Sequence, residues 1–176
     1  MAAGDFALTT FYTSWNRYQD RLKETLAPLT AEQLALRTAP HLRSVGENAL
    51  HIVGCRSYWF ATFLGEDGGE GVSEYRRWNE VALMTPVERC GRNVEVVATA
   101  AELVHGLDCT WRFMADCLGR WGSADMQEIF PDDWDGTPVE LSRASVVWRV
   151  LEHDLHHGGE VSLTLGQHGI QVAIAA

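Results

Sequence analysis

The sequence predicts an all-α protein, an antiparallel four-helix bundle with a crossover connection and a small β-hairpin before the last helix. Three observations carry that expectation. Four long stretches place apolar residues at three- and four-residue spacing, start and stop signals bracket them, and the connections between them are of very unequal length. At 176 residues the chain has the size of one ordinary domain, expected to span 1–176 around a single core.

The first helix is expected from Asp5 to Leu26, where Leu8, Phe11, Trp15, Leu22 and Leu26 share a face and Tyr12 and Tyr18 lie beside it, with Pro28 ending it. A short turn of helix follows Thr30, which pairs with Gln33 in a capping-box pattern. Ser44 and Glu47 repeat that signal, and the proline-free run from Val45 to Leu64 predicts the second long helix. Gly65, Gly68, Gly69 and Gly71 then make a connector; it follows a helix and lacks the GKS or GxGxxG pattern of a phosphate loop.

Thr85, Pro86 and Glu88 read as the start of a third helix reaching about Trp121, with a break expected near Gly91. Its apolar positions are Val97, Ala101, Val104, Leu107, Trp111, Met114 and Leu118. The segment GSADMQEIFPDDWDGTPVE has loop composition, with IF and PVEL as short hairpin strands. Ser142 or Ser145 should cap the fourth helix and Gly166 or Gly169 close it.

Composition narrows the function. A net charge of −10 opposes phosphate backbones and anionic lipid, so neither nucleic acid nor membrane is an expected partner. No run of 18 uncharged apolar residues occurs, and MAAGDFALTTFYTSW carries no basic cluster ahead of its apolar positions; the expectation is a soluble cytoplasmic protein. Cys55, Cys90, Cys109 and Cys117 show no CxxC spacing and read as reduced, mostly buried thiols. Cys55 lies one turn after His51 and could share its face.

The chemistry concentrates in LEHDLHHGGEV, which puts His153, His156 and His157 within five residues. A step of four turns a helix about 40° past a full circle, so His153 and His157 stack, while His156 sits about 100° from His157. Stacked imidazoles at that spacing suit a metal ion, and a third ligand must come from elsewhere. His51 is the candidate, because it interrupts the apolar LHIV run on another helix, where an unpartnered ring is costly to bury. Three imidazoles leave a coordination position for water or substrate, the pattern of catalytic zinc sites.

Glu47, Asp154 and Glu160 are carboxylates near these histidines by spacing, suited to orienting an imidazole or simply solvated. His41, His105 and His168 read as surface or helix-end residues. His153, Asp154 and His157 also spell HDxxH, a variant of the zinc-protease HExxH, against which stand the shorter Asp and the lack of a convincing later ligand. A diiron bundle needs a pair of Glu-x-x-His motifs, and only Glu102 with His105 is found. Trp59, Trp78, Trp111, Trp121 and Trp134 read as core ahead of a binding surface.

With these residues in view, the chain resembles the DinB-like bundles, which include YfiT-type and bacillithiol- or mycothiol-dependent thiol transferases. The resemblance rests on an opening amphipathic helix, the SVGENALHI segment from Ser44 to Ile52, and the closing LEHDLHHGGEV with its leucine-rich turn and glycine. It implies a metal triad on His51, His153 and His157, with His156 as the histidine that often precedes the last ligand. Glu47, His156 and Glu160 become candidates for supporting that triad, and Gly158 and Glu160 stand where many relatives have Arg and Gln.

The resemblance also implies zinc or nickel as the divalent ion, a homodimer, and a small-molecule thiol and an electrophile as partners. Three functions follow as expectations: thiol transfer with the metal activating the thiol, hydrolysis or isomerisation with water as nucleophile, or a non-catalytic metal-binding stress-response dimer. Three imidazoles also suit copper or iron, so the donor set alone does not choose the metal.

Overall fold

The computed structural model describes residues 3–73, 75, 78 and 98–175. The long helices are α1 (Ala3–Leu26), α3 (Val45–Ser57), α5 (Ala100–Arg120) and α6 (Arg143–Gln167), with short α2 (Ala31–Leu34) and α4 (Gly69–Ser73) between them. Strands β1 (Ile129–Trp134) and β2 (Thr137–Ser142) form an antiparallel hairpin immediately before α6. No helix among the described residues is long and apolar enough to cross a membrane.

Local chemistry sets these boundaries. At Thr30, Ser44 and Thr99 a hydroxyl accepts from the N3 backbone N–H while the N3 side chain (Gln33, Glu47 or Glu102) accepts from the cap's own N–H, satisfying two orphan donors at each start. Ser142 caps α6 by accepting from the Ser145 N–H. That helix closes at Gly169, whose φ of 73° suits glycine; the N–H of Ile170 returns to Leu165 O and that of Gly169 to Gly166 O, both at 3.0 Å.

Three expectations change. The Val45–Leu64 run is α-helical only to Ser57 and then widens to a π turn over Tyr58–Phe63, where the Leu64 N–H reaches Trp59 O at 3.0 Å. The described part of the third helix begins at Ala100, one residue after its Thr99 cap; the start expected at Thr85 and the break near Gly91 lie outside the described residues. The PDDW and TP flanks of the PDDWDGTP stretch are strand, not loop. Asp135 (φ 54°) and Gly136 (φ 81°) form a two-residue primed turn that pairs Trp134 with Thr137, and pairing continues to Ile129 opposite Ser142. Pro131 and Pro138 are tolerated because each strand of a two-stranded ribbon has a free edge.

The core is two stacked clusters, and membership in them gives the helix directions. One holds Leu22 and Leu26, Val45 and Ala49, Leu103 and Leu107, and Val161 and Leu165. The other holds Trp15, Phe60, Trp111, Met114 and Leu118, and Val147, Val150 and Leu151. Hence α1 and α6 run from opposite clusters to α3 and α5, while α3 and α5 run the same way. Two parallel helices in sequence require the chain to return the length of the bundle, which is the expected crossover. Helix α3 packs against both α5 and α6, and its seam with α6 carries the site.

Cys55 and Cys117 are buried, Cys109 is half-buried, and all three are free thiols; Cys90 lies outside the described residues. Trp15 and Trp111 are core residues in edge-to-face contact at 5.4 Å, whereas Trp134 and Trp148 are exposed.

Candidate metal centre

The α3–α6 seam brings His51, His153 and His157 together. His51 lies in the fully packed middle of α3, and the four-residue step on α6 stacks His153 and His157 opposite it. Ring centroids are 4.5 Å (His51–His153), 4.7 Å (His51–His157) and 4.3 Å (His153–His157) apart. One ligating nitrogen from each lies within 4.8 Å of the others. The Nε2 atoms of His51 and His153 are 3.0 Å apart. Two nitrogens on one tetrahedral zinc at ordinary bond lengths lie roughly 3.3 Å apart, so this spacing needs little adjustment.

The hydrogen-bond accounting of these rings does not close within the protein. At 3.0 Å one Nε2 can donate to the other's lone pair, which forces the accepting ring to carry its proton on Nδ1. Yet Nδ1 of His51 and Nδ1 of His153 are buried without a hydrogen-bond partner. Such orphans are uncommon in native interiors. A cation at the shared point would engage both facing Nε2 lone pairs and leave each ring protonated at Nδ1, so it is the 3.0 Å Nε2 pair, and not the Nδ1 orphans, that fits a divalent metal.

Burial keeps the lone pairs available. Desolvation, followed by the Arg43 charge and the His157 ring, lowers the pKa of His51 to about 3. Desolvation, followed by His157, His51, Arg43 and Arg56, lowers that of His153 to about 2. His157 is lowered by burial too, against the opposing pull of Glu160. Ligands that need no deprotonation at neutral pH favour metal uptake.

Around the triad the expected supporting residues divide. Glu160 Oε2 takes His157 Nδ1 at 2.8 Å, which turns the Nε2 lone pair of that ring inward and fixes its tautomer. Glu160 Oε1 also reaches His156 Nε2 at 3.4 Å, so the exposed His156 flanks the same carboxylate. Glu47 serves the start of α3: its carboxylate accepts from the Ser44 N–H and from Arg37 at 2.6 and 2.7 Å. His41, His105 and His168 are exposed, as expected. Glu102 closes the α5 capping box, which removes the Glu-x-x-His reading.

Asp154 is neither solvated nor free to hold water for an HDxxH mechanism. It is 0% exposed, and its oxygens accept from Arg56 Nε at 3.0 and 3.1 Å, from another guanidinium nitrogen of Arg56 at 2.6 Å, and from Trp15 Nε1 at 2.8 Å. Arg56, also 0% exposed, donates to Gln19 Oε1 at 2.7 Å, and Gln19 donates to Leu107 O at 3.1 Å. Tyr18 Oη donates to Asp154 O at 3.1 Å. This network joins all four long helices behind the triad. Its signal was in the spacing: Val147, Leu151, Asp154, Val161 and Leu165 share one stripe of α6, and Ala49, Ile52 and Arg56 share one stripe of α3 that runs on into Phe60 of the π turn, so each charge interrupts a core face.

Gly158, beside His157, has a packing reason to lack a side chain, because a Cβ there would land on the Tyr18 hydroxyl. Cys55, one turn after His51, is buried, and burial pushes its thiol well above the ordinary range. It is a neutral wall of the seam and not part of the ligating group.

A family model described as the DinB family matches residues 4–175. Among solved structures, the chain is similar to a DinB-like protein from Bacillus cereus ATCC 10987, at 20% identity and a TM-score of 0.61, covering 92% of this chain and 93% of that one. It is also similar to a conserved protein from Enterococcus faecalis, at 19% identity and a TM-score of 0.67, covering 94% and 99%. At those identities the two structures speak to the fold. No curated protein matches the chain.

Proposed function

The chain belongs to the DinB family, and on that premise we propose that it is a metal-dependent enzyme transferring a low-molecular-weight thiol, of the bacillithiol or mycothiol type, to an electrophilic small molecule. The observation that carries the reading is the convergence of three neutral imidazoles at the α3–α6 seam, a donor set that takes a divalent ion and leaves room for a further ligand. Zinc or nickel, when bound, would supply the positive charge that ionises a coordinating thiol near neutral pH.

The protein's own residues prepare the position. His51 and His153 present unprotonated nitrogens because burial keeps them neutral. Glu160 holds the outer nitrogen of His157 and so aims the inner one. Arg43 adds positive potential felt by all three rings, which favours an anionic sulfur over a neutral one. The Arg56–Asp154 pair fixes α3 against α6 one residue from His153, so the ligands are held on a braced seam and not on a loop. The proposed working form is a cytoplasmic homodimer, supported by Trp148, Leu155 and Leu163, large apolar side chains exposed on α6.

The test is the metal content of untagged protein beside a His153→Ala/His157→Ala variant, followed by thiol conjugation to a panel of electrophiles in the zinc, nickel and manganese forms. The expected result is about one ion per chain, lost in the variant, with conjugation that requires both metal and thiol. Turnover with the thiol omitted would move the assignment to a hydrolase or isomerase. Metal without turnover, together with a large loss of melting temperature on chelation, would move it to a structural ion tying α3 to α6.

A further inference from the structure

Two stripes face each other across the seam. His51 and Cys55 of α3 and Trp59 of the π turn that continues it follow at four-residue steps, and on the antiparallel α6 so do Arg149, His153 and His157. The triad joins one end of this pair of stripes. At the other end the Arg149 guanidinium lies 5.2 Å from the Trp59 ring centre and 4.8 Å from that of Trp134, which the β-hairpin brings in from outside the bundle. The Trp134 ring is itself held by a 2.8 Å bond from its Nε1 to Asp132 Oδ2.

A guanidinium covered by indole faces gains cation–π attraction and loses much of its rotamer freedom, while its edge of N–H donors stays uncovered. Among the described residues Arg149 makes no hydrogen bond and no ion pair, although the chain carries 24 acidic residues against 14 basic ones. Three other buried or half-buried arginines are spent, Arg56 on Asp154, Arg37 on Glu47, and Arg143 on Glu66 and Glu128, and Arg43, also half-buried, is not free of interactions. A clamped, unspent fork of donors is a geometry that matches a carboxylate in bidentate fashion.

We propose that Arg149, clamped between Trp59 and Trp134 one helical turn from His153, is the subsite for a carboxylate on the small molecule that reacts at the histidine centre. This deepens the reading of the site as metal-dependent and rests on it for the word reacts. The ligand must span about one turn of helix, ~6 Å, between its metal-seeking atom and its carboxylate. That selects short carboxylate-bearing thiols or electrophiles over neutral ones. Trp59 and Trp134 are positioning residues, and Arg149 is the one that touches substrate.

The test uses the full chain, metal-free and cobalt-loaded, with tryptophan emission and cobalt absorption as separate readouts. Succinate is compared with succinamide on the metal-free protein, and 3-mercaptopropionate with its amide on the cobalt form. The carboxylates are expected to bind about tenfold or more tightly than their amides, the scale of charge-assisted hydrogen bonds. Arg149→Gln should erase that preference and Arg149→Lys retain part of it, with melting temperature and the cobalt spectrum before ligand addition unchanged.

Preference for succinate but not for 3-mercaptopropionate would place the carboxylate on the electrophile, and preference for both would admit it on the thiol; either supports the subsite. Equal binding of acid and amide in the wild type, or a preference that survives Arg149→Gln, overturns it. Failure to take up cobalt with the succinate preference intact would sink the metal reading and leave the anion subsite standing.

Discussion

The sharpest quantitative consequence of the structure concerns Asp154. Substituting Asp154→Asn keeps the size of the side chain but removes the charge that accepts from Arg56 and Trp15. The Arg56 guanidinium would then be stranded at 0% exposure with a neutral amide turned toward it. Breaking a buried pair from one side costs about 3–5 kcal/mol, because the remaining charge keeps its desolvation penalty and loses its partner. In a chain of this length each kcal/mol moves the melting temperature by about 2–4 °C, which gives a loss of roughly 6–20 °C. Thermal and guanidinium unfolding of the chelator-treated protein measure it without interference from metal binding. Arg56→Met with Asp154→Leu should recover part of the loss, held back by Trp15 Nε1 and Gln19 Oε1 left without partners. A loss below about 1 kcal/mol in Asp154→Asn would refute the bracing role. Intact stability with abolished activity would return Asp154 to the chemistry of an HDxxH motif.

Other consequences follow from the same geometry. Glu160→Gln should weaken metal affinity by about 10–100-fold, as loss of a carboxylate behind a ligating imidazole does, read by competition with a chromophoric chelator; unchanged affinity would deny it that role. In the metal-free protein His51 stays neutral down to about pH 3, whereas the unfolded chain protonates near its ordinary 6.5. Above that value neither state is protonated and the residue contributes nothing to pH dependence. Below it the unfolded state binds more protons, so stability should fall as pH drops from 6.5 toward 3, by up to ~1.4 kcal/mol per unit for each such histidine. Denaturation midpoints across that window measure the slope, and His51→Gln should reduce it by one histidine's share, with His153 and His157 still contributing. Gly158→Ala should cost about 1–3 kcal/mol by overpacking, since its Cβ lands on Tyr18 Oη and 3.0 Å from Ile174 Cδ1; a neutral effect on unfolding would show that Tyr18 can move aside.

Much of the architecture was legible because helices announce themselves locally. Thr30 with Gln33 and Ser44 with Glu47 satisfy donors within one turn, and the apolar spacing around Trp15, Leu107 and Leu165 repeats every three or four residues. The hairpin was seen only in part: the composition of PDDWDGTP reads as loop until one asks whether Asp135 and Gly136 can both take positive φ, which makes the flanks strand. The π turn at Tyr58–Phe63 left no pattern to read, because the hydrogen-bond step changes while the residues stay ordinary helix formers and aromatics.

The sequence by itself determined which imidazoles share a face of α6, since His153 and His157 are four residues apart on a rigid helix and no packing is needed to stack them. It also marked His51 as a polar ring in an apolar run. Only the tertiary structure decided what those rings meet. The α3–α6 packing sets the 3.0 Å between His51 and His153, gives Asp154 a buried arginine instead of solvent, and stands Trp134 from the hairpin against Arg149. The reason is range: a helical repeat fixes neighbours within about a turn, whereas a partner 98 or 102 residues away is fixed by which faces the folded chain must bury together.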